Sequence, residues 1–144
     1  MNDLTPLILQ FSTQFTLNEQ DVLDKLSNAK GWDSKYREIM LLGKNLSQFV
    51  PELKLDSAMV SGCESTVWLH HAWQEDKLRL AISSDSKIVR GLLAIVLAKL
   101  NGTTSAQLSS INLEPYFTEL GLEQHLSPSR SNGLKAIVEA IKAL

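Results

Sequence analysis

The chain has 144 residues, 44% of them apolar and 21% charged, with a formal net charge of −2. This is globular composition, which excludes a disordered or fibrous chain, and a length near that of one domain allows burial of about 70% of the unfolded surface. Lys and Arg are scattered rather than clustered, so no nucleic-acid partner is expected. The longest apolar run, Gly91 to Ala98, is far short of the roughly 20 residues that span a bilayer, so no membrane partner is expected either. Cys63 is the only cysteine and cannot form an internal disulfide. Met1-Asn2-Asp3 lacks the basic start of a secretory signal. A cytoplasmic location is expected, where a lone Cys stays a thiol.

Residues 1–17 are weakly patterned and are expected to be loosely ordered. Asn18 is a good cap for a helix over Glu19 to Ser27, which Gly31 breaks. A second helix is predicted from about Ser34 to Phe49, with Tyr36, Ile39, Met40, Gly43 and Leu46 on one face. Pro51 stops it, because the residue before a proline is pushed out of the α region. Leu55 to Val60 reads as a first strand. Thr66 to Gln74 reads as a second, with Val67, Leu69, His71 and Trp73 on one face. Lys77 to Ser83 alternates cleanly, with Leu78, Leu80 and Ile82 together. Glu75-Asp76 joins the last two strands as a hairpin. Between the first two lies Ser61-Gly62-Cys63-Glu64, a loop that Gly62 allows to be tight.

Asp85 or Ser86 caps a third helix through Leu100, apolar almost all round and therefore buried. Asn101-Gly102 ends it. Short helical pieces follow near Ser105–Leu108 and Glu114–Leu120. The last helix has Ser127 as cap and Pro128 at its first position, with Leu134, Ile137, Val138, Ile141 and Leu144 as its apolar stripe. Helices, then strands, then helices predict an α+β fold: a small antiparallel sheet flanked by helices, in one domain over residues 1–144.

Cys63 is the main candidate for chemistry. A free Cys in a core is usually a small inert hydrophobe, but Ser61, Gly62, Glu64 and Ser65 around it are small or polar. A free thiol has a pKa of about 8.5, so its reactivity depends on what favours the thiolate. Glu64 would oppose ionisation, whereas an arginine or loop N–H groups would favour it; the sequence leaves the balance open. A Cys–His hydrolase would draw its base from His70, His71 or His125. His70 and His71 point to opposite faces of a strand, no nucleophile elbow is present, and structural histidines are the preferred reading. Metal-ligand spacings are absent, as is Gly-x-Gly-x-x-Gly. Trp32, Trp68 and Trp73 read as core or groove lining. Arg130 falls in the first turn of a helix, where the dipole disfavours a cation. It therefore calls for an acidic partner, Glu64 or Asp85, or for a functional role.

Gly62-Cys63-Glu64-Ser65-Thr66-Val67-Trp68-Leu69 resembles the SufE family of sulfur acceptors. Three further segments agree in order: Tyr36 to Lys44, Ser84 to Ala94, and Leu120 to Leu134 with its Ser127-Pro128-Ser129-Arg130-Ser131-Asn132-Gly133 core. Glu64 and the Tyr36–Lys44 segment look closer to the CsdE branch than to SufE itself. The resemblance implies an α+β fold similar to IscU-type scaffolds. It implies that Cys63 takes persulfide sulfur from a cysteine desulfurase of the SufS or CsdA type, stimulates that enzyme, and passes sulfur to a downstream acceptor or iron–sulfur scaffold. Gly62, Glu64, Asp85 and Arg130 would support the active-site loop. No cofactor or metal is expected on this chain, pyridoxal phosphate belongs to the partner, and no stand-alone turnover is expected. The rival reading is a binding module that regulates a partner without carrying sulfur.

Overall fold

In the computed structural model, which describes residues 3–62, 65–122 and 126–144, the chain opens on a helix, α1 (Thr5–Gln14). The expectation of loose order for residues 1–17 fails here. Ile8, Phe11 and Phe15 recur at helical spacing and are buried. Asn101 fixes the helix to the sheet: its Oδ1 accepts from Ser12 Oγ at 2.7 Å and from the Leu80 N–H at 3.1 Å, while its Nδ2 donates to the Ser12 carbonyl at 3.1 Å. No charged residue marks the outer face of α1, which is why its periodicity is faint in the sequence.

The next helix, α2 (Glu19–Ser27), begins at Asn18 as predicted. Asn18 and Asp21 exchange side-chain bonds to each other's backbone N–H at 2.8 and 3.2 Å, a reciprocal cap. α2 ends at Ser27, ahead of the predicted break at Gly31, and Gly31, with φ +77°, opens α3 (Gly31–Leu42). That helix starts earlier than predicted and stops well short of Phe49. Asn45 Nδ2 bonds the Leu42 carbonyl at 3.0 Å, and 3-10 turns follow at Gly43–Asn45 and Pro51–Leu53. Ile39, Leu42 and Gly43 form the buried face, and Met40 is 37% exposed.

Residues 55–60 do not form the predicted strand. Asp56 and Ser57 are turn formers, and a 3-10 turn occupies Asp56–Ala58. Only a bridge from Met59 to Trp68 and the Val60 N–H to the Val67 carbonyl, 2.9 Å, reach the sheet. The sheet is the hairpin of β1 (Val67–Gln74) and β2 (Lys77–Ser84), paired antiparallel from Val67↔Ser84 to Gln74↔Lys77. β2 carries the core: Leu78, Leu80, Ala81 and Ile82 are all buried, because α1 packs against it and so does α4 (Lys87–Leu100). Of Val67, Leu69, His71 and Trp73, which share one face of β1, only Val67 is buried. His71 is exposed and Trp73 is 39% exposed, whereas Trp68 and His70 on the other face pack on Phe49.

Glu75 and Asp76 turn the hairpin with φ of 52° and 60°, the left-handed pair of a two-residue turn. Asp76 Oδ1 accepts from Ser105 Oγ at 2.8 Å, but Glu75 adopts this costly conformation as an ordinary L residue. Glu75→Asn, which tolerates the left-handed region, is expected to stabilise the protein by about 0.5–1 kcal/mol. A thermal midpoint equal to or below that of the parent would contradict the turn.

Ser86, not Asp85, caps α4, accepting from the Val89 N–H at 3.5 Å. Most of α4 is buried, as its sequence predicts. Gly43 and Gly91 let α3 and α4 approach backbone to backbone: a Cβ on Gly43 would lie 2.9 Å from the Gly91 nitrogen. Then come α5 (Ser105–Ser110), α6 (Glu114–Leu120) and α7 (Pro128–Lys142). Tyr116 of α6 donates to the Ile95 carbonyl at 3.1 Å, and burial pushes its phenol well above the usual tyrosine range. On α7, Leu134, Ile137 and Ile141 are buried, while Leu144 lies past the end of the helix and is 37% exposed. The architecture is the α+β hairpin-and-helices arrangement that the sequence predicts.

Candidate functional site

Cys63 and Glu64 lie outside the described residues, and so does His125. The residues on either side fix where this stretch of chain leaves and returns. Gly62 has φ +90°, and a Cβ there would lie 3.3 Å from the Ala136 Cβ of α7. Conformation and space therefore both favour glycine. On the far side, Ser65 lines a cavity of about 300 Å³. Val67 of β1, Val89 and Leu92 of α4, and Leu134 and Ile137 of α7 give that cavity apolar walls.

Arg130 lines the same cavity. Its guanidinium lies 6.0 Å from the ring centre of Tyr36 on α3, and Tyr36 in turn meets Trp32 edge-on at 5.8 Å. The predicted pairing of Arg130 with Asp85 is not seen: among the described residues the one ion pair joins Lys99 and Glu19, at 2.9 Å. Among the described residues the negative face of the Tyr36 ring is what the Arg130 cation meets, and the alternative partner, Glu64, lies outside them. Tyr36 thus lies beside the cavity, although its sequence context marked it only as part of a helix face and of a family-like segment.

Ser84 orders the return of the chain into β1. Its hydroxyl is buried, donates to the Thr66 carbonyl at 2.6 Å and accepts from the Ser86 N–H at 3.2 Å. One side chain therefore joins the residue before β1, the end of β2 and the start of α4. Nothing in the sequence assigns Ser84 a role of its own: it shows only as the start of the Ser84–Ala94 segment and as part of the polar run Ser83-Ser84-Asp85-Ser86 at a strand end. Asp85 is exposed and lines a different, larger groove together with Trp68. Successive residues of a strand point to opposite faces, so Val67 faces the cavity beneath α7 and Trp68 faces this groove. The predicted supporting residues divide accordingly: Gly62 and Arg130 converge on α7, and Asp85 stands on the other side.

His70 Nε2 is 2.6 Å from the Leu53 carbonyl, a structural bond of the kind preferred for it above. Among the described residues, no three His, Cys, Asp or Glu side chains group as metal ligands would. No helix among them is long and apolar enough to cross a membrane.

Comparison with known proteins fixes the fold first. The structure is similar to the solution structure of a hypothetical protein from Thermus thermophilus, with a TM-score of 0.68 at 16% identity, covering 89% of this chain and 94% of that one. The family follows from sequence. The model of the SufE family, described as an Fe-S metabolism associated domain, matches residues 20–144. The sulfur acceptor protein CsdE of Escherichia coli (strain K12) is 43% identical over 113 residues, spanning 78% of this chain and 77% of that protein. The chain belongs to the SufE family, and the similarity to CsdE agrees with the branch that the Tyr36–Lys44 and Glu64 segments resemble.

Proposed function

We propose that this chain is a sulfur carrier: Cys63 takes sulfur from the persulfide of a cysteine desulfurase and hands it to a downstream acceptor in iron–sulfur metabolism. The observation that supports this best is the family match over residues 20–144, which contains the chain's only thiol, together with the 43% identity to a protein named a sulfur acceptor.

The transfer is thiol–persulfide exchange. The Cys63 thiolate attacks the outer sulfur of the desulfurase persulfide, and a new S–S bond forms on Cys63. The old S–S bond breaks, and its electron pair leaves on the desulfurase thiolate. No external oxidant or reductant is needed, and the rate follows thiolate character and access. Pyridoxal phosphate works on the desulfurase, and this chain turns over nothing by itself. The bonds of Ser84 and the fit of Gly62 against Ala136 hold the two ends of the reactive segment. The cavity that Ser65 lines, whose walls combine aliphatic side chains with Ser129 and Arg130, offers a volume that can receive a sulfur atom away from the thiols of a reducing cytosol. Tyr36 and α7 hold the Arg130 cation at that cavity. Gly62 and Arg130 are positioning residues here, and Asp85 faces partners rather than the cavity.

A carrier differs from a binding module in what it still holds after its partner has gone. The protein is loaded by a desulfurase with cysteine, separated from the enzyme and treated with dithiothreitol. Sulfide release approaching one per chain is expected from the parent and none from Cys63→Ser. Equal release from both proteins, or none from either, would contradict the reading.

A further inference from the structure

The larger groove holds about 620 Å³ and lies between the end of α3 with its following 3-10 turn and the end of β2 with the start of α4. Arg37, Lys44, Lys54, Lys87 and Arg90 line it, and Asp85 is the only carboxylate among its described lining residues. The whole chain has 16 acidic and 14 basic residues, so this patch is opposite in sign to the molecule that carries it. Among the described residues none of the five cations is in an ion pair. Arg90 reaches the Ser84 carbonyl at 3.1 Å, and Lys54 lies 5.6 Å from the Trp68 ring centre. Apolar surface adjoins the cations: Met40 and Leu41 are 37% and 42% exposed and line the same groove.

An occupant that fits must present carboxylates to the cations and apolar side chains to Met40 and Leu41. Nucleic acid fits less well. Trp68, the ring on which a base would stack, is already stacked on Phe49 with centroids 6.0 Å apart and is covered by Lys54, and the net charge of −2 repels a long polyanion. The groove also touches the reactive segment, because Ser84 both lines it and bonds the Thr66 carbonyl.

We propose that this groove docks an acidic, partly apolar surface segment of the cysteine desulfurase that donates sulfur to Cys63. The proposal rests on the sulfur-carrier reading. Of the two exchange partners, the donor must find an unloaded carrier at every turnover. Opposite charges at a groove that Ser84 ties to Thr66 speed that encounter and fix its orientation.

The test measures affinity for a CsdA-type cysteine desulfurase at two ionic strengths. Lys44→Glu/Lys87→Glu is compared with Lys25→Glu/Lys30→Glu, which makes the same charge change at the end of α2 and the cap of α3, on residues that do not line the groove. The groove pair is expected to bind about tenfold or more weakly, the control pair within about twofold of the parent, and parent binding to weaken as salt rises. Lys44→Gln/Lys87→Gln should show a smaller loss with an unchanged thermal midpoint, which separates docking from misfolding. Unchanged affinity in the groove pair, or equal loss in both pairs, would overturn the proposal. So would displacement of the desulfurase by a single-stranded oligonucleotide. A parent protein that binds the desulfurase but gains no sulfur would instead sink the carrier reading and leave the docking result standing.

Discussion

Gly91→Ala is expected to destabilise the protein by at least about 3 kcal/mol. Helix propensity alone gives the opposite sign, because alanine is favoured over glycine in a helix interior by about 1 kcal/mol. Packing decides the outcome. A Cβ on Gly91 would collide with the Ile39 carbonyl group, lying 2.6 Å from its carbon and 2.8 Å from the Ile39 Cγ2. Most of this obstruction is backbone, so no change of rotamer relieves it, and α3 and α4 would have to separate. Ile39 is fully buried at this crossing, as are Leu93 and Ile95 on α4, so separation also opens the core. Thermal and urea unfolding should show a much lower midpoint, or no cooperative transition at all. A midpoint at or above that of the parent would show that the two helices do not cross at Gly91.

Cys63→Ser is expected to abolish stimulation of a cysteine desulfurase, returning its turnover to that of the enzyme alone. Accepting the persulfide sulfur frees the desulfurase for another cycle, and only a thiol can do so. A serine hydroxyl is close to isosteric but is neither appreciably ionised near neutral pH nor able to form a persulfide. The variant should therefore still fold and still compete with the parent for the enzyme. Alanine release under mild reductant is the measurement. If the serine variant stimulates as well as the parent, the effect is allosteric and the protein is a regulatory binding module.

Local signals in the sequence were reliable where one residue decides the geometry. The Asn18 cap, the Ser127-Pro128 start and the Glu75-Asp76 turn each appear where the sequence places them. Errors came where tertiary contacts decide. α1 has the spacing of a core helix but lacks a charged outer face, and what fixes it, Asn101, lies far along the chain. Residues 55–60 alternate enough to suggest a strand, yet Asp56 and Ser57 form a turn and the hairpin closes without them. α3 ends early where Asn45 bonds the Leu42 carbonyl and a 3-10 turn takes over, beside a close approach of Gly43 to Gly91 that joins segments remote in sequence.

The same distinction runs through the site. The segment around Cys63 stands out in the sequence through its small residues and family resemblance, which are local features, while Cys63 and Glu64 themselves lie outside the described residues. The contact of Arg130 with the Tyr36 ring was not legible, because it joins α7 to a helix remote in sequence. Charge gave the least warning. Lys and Arg are scattered along the chain, and only the packing of α3 beside the end of β2 brings five of them around one groove.

The central claim is that sulfur comes to rest on Cys63, and intact-mass analysis tests it most directly. The protein is incubated with a cysteine desulfurase and free cysteine, then alkylated and weighed. The parent should gain the mass of one sulfur atom, mapped to the peptide that contains Cys63, and Cys63→Ser should gain none. Sulfur added equally to both proteins, or left entirely on the desulfurase, would contradict the account.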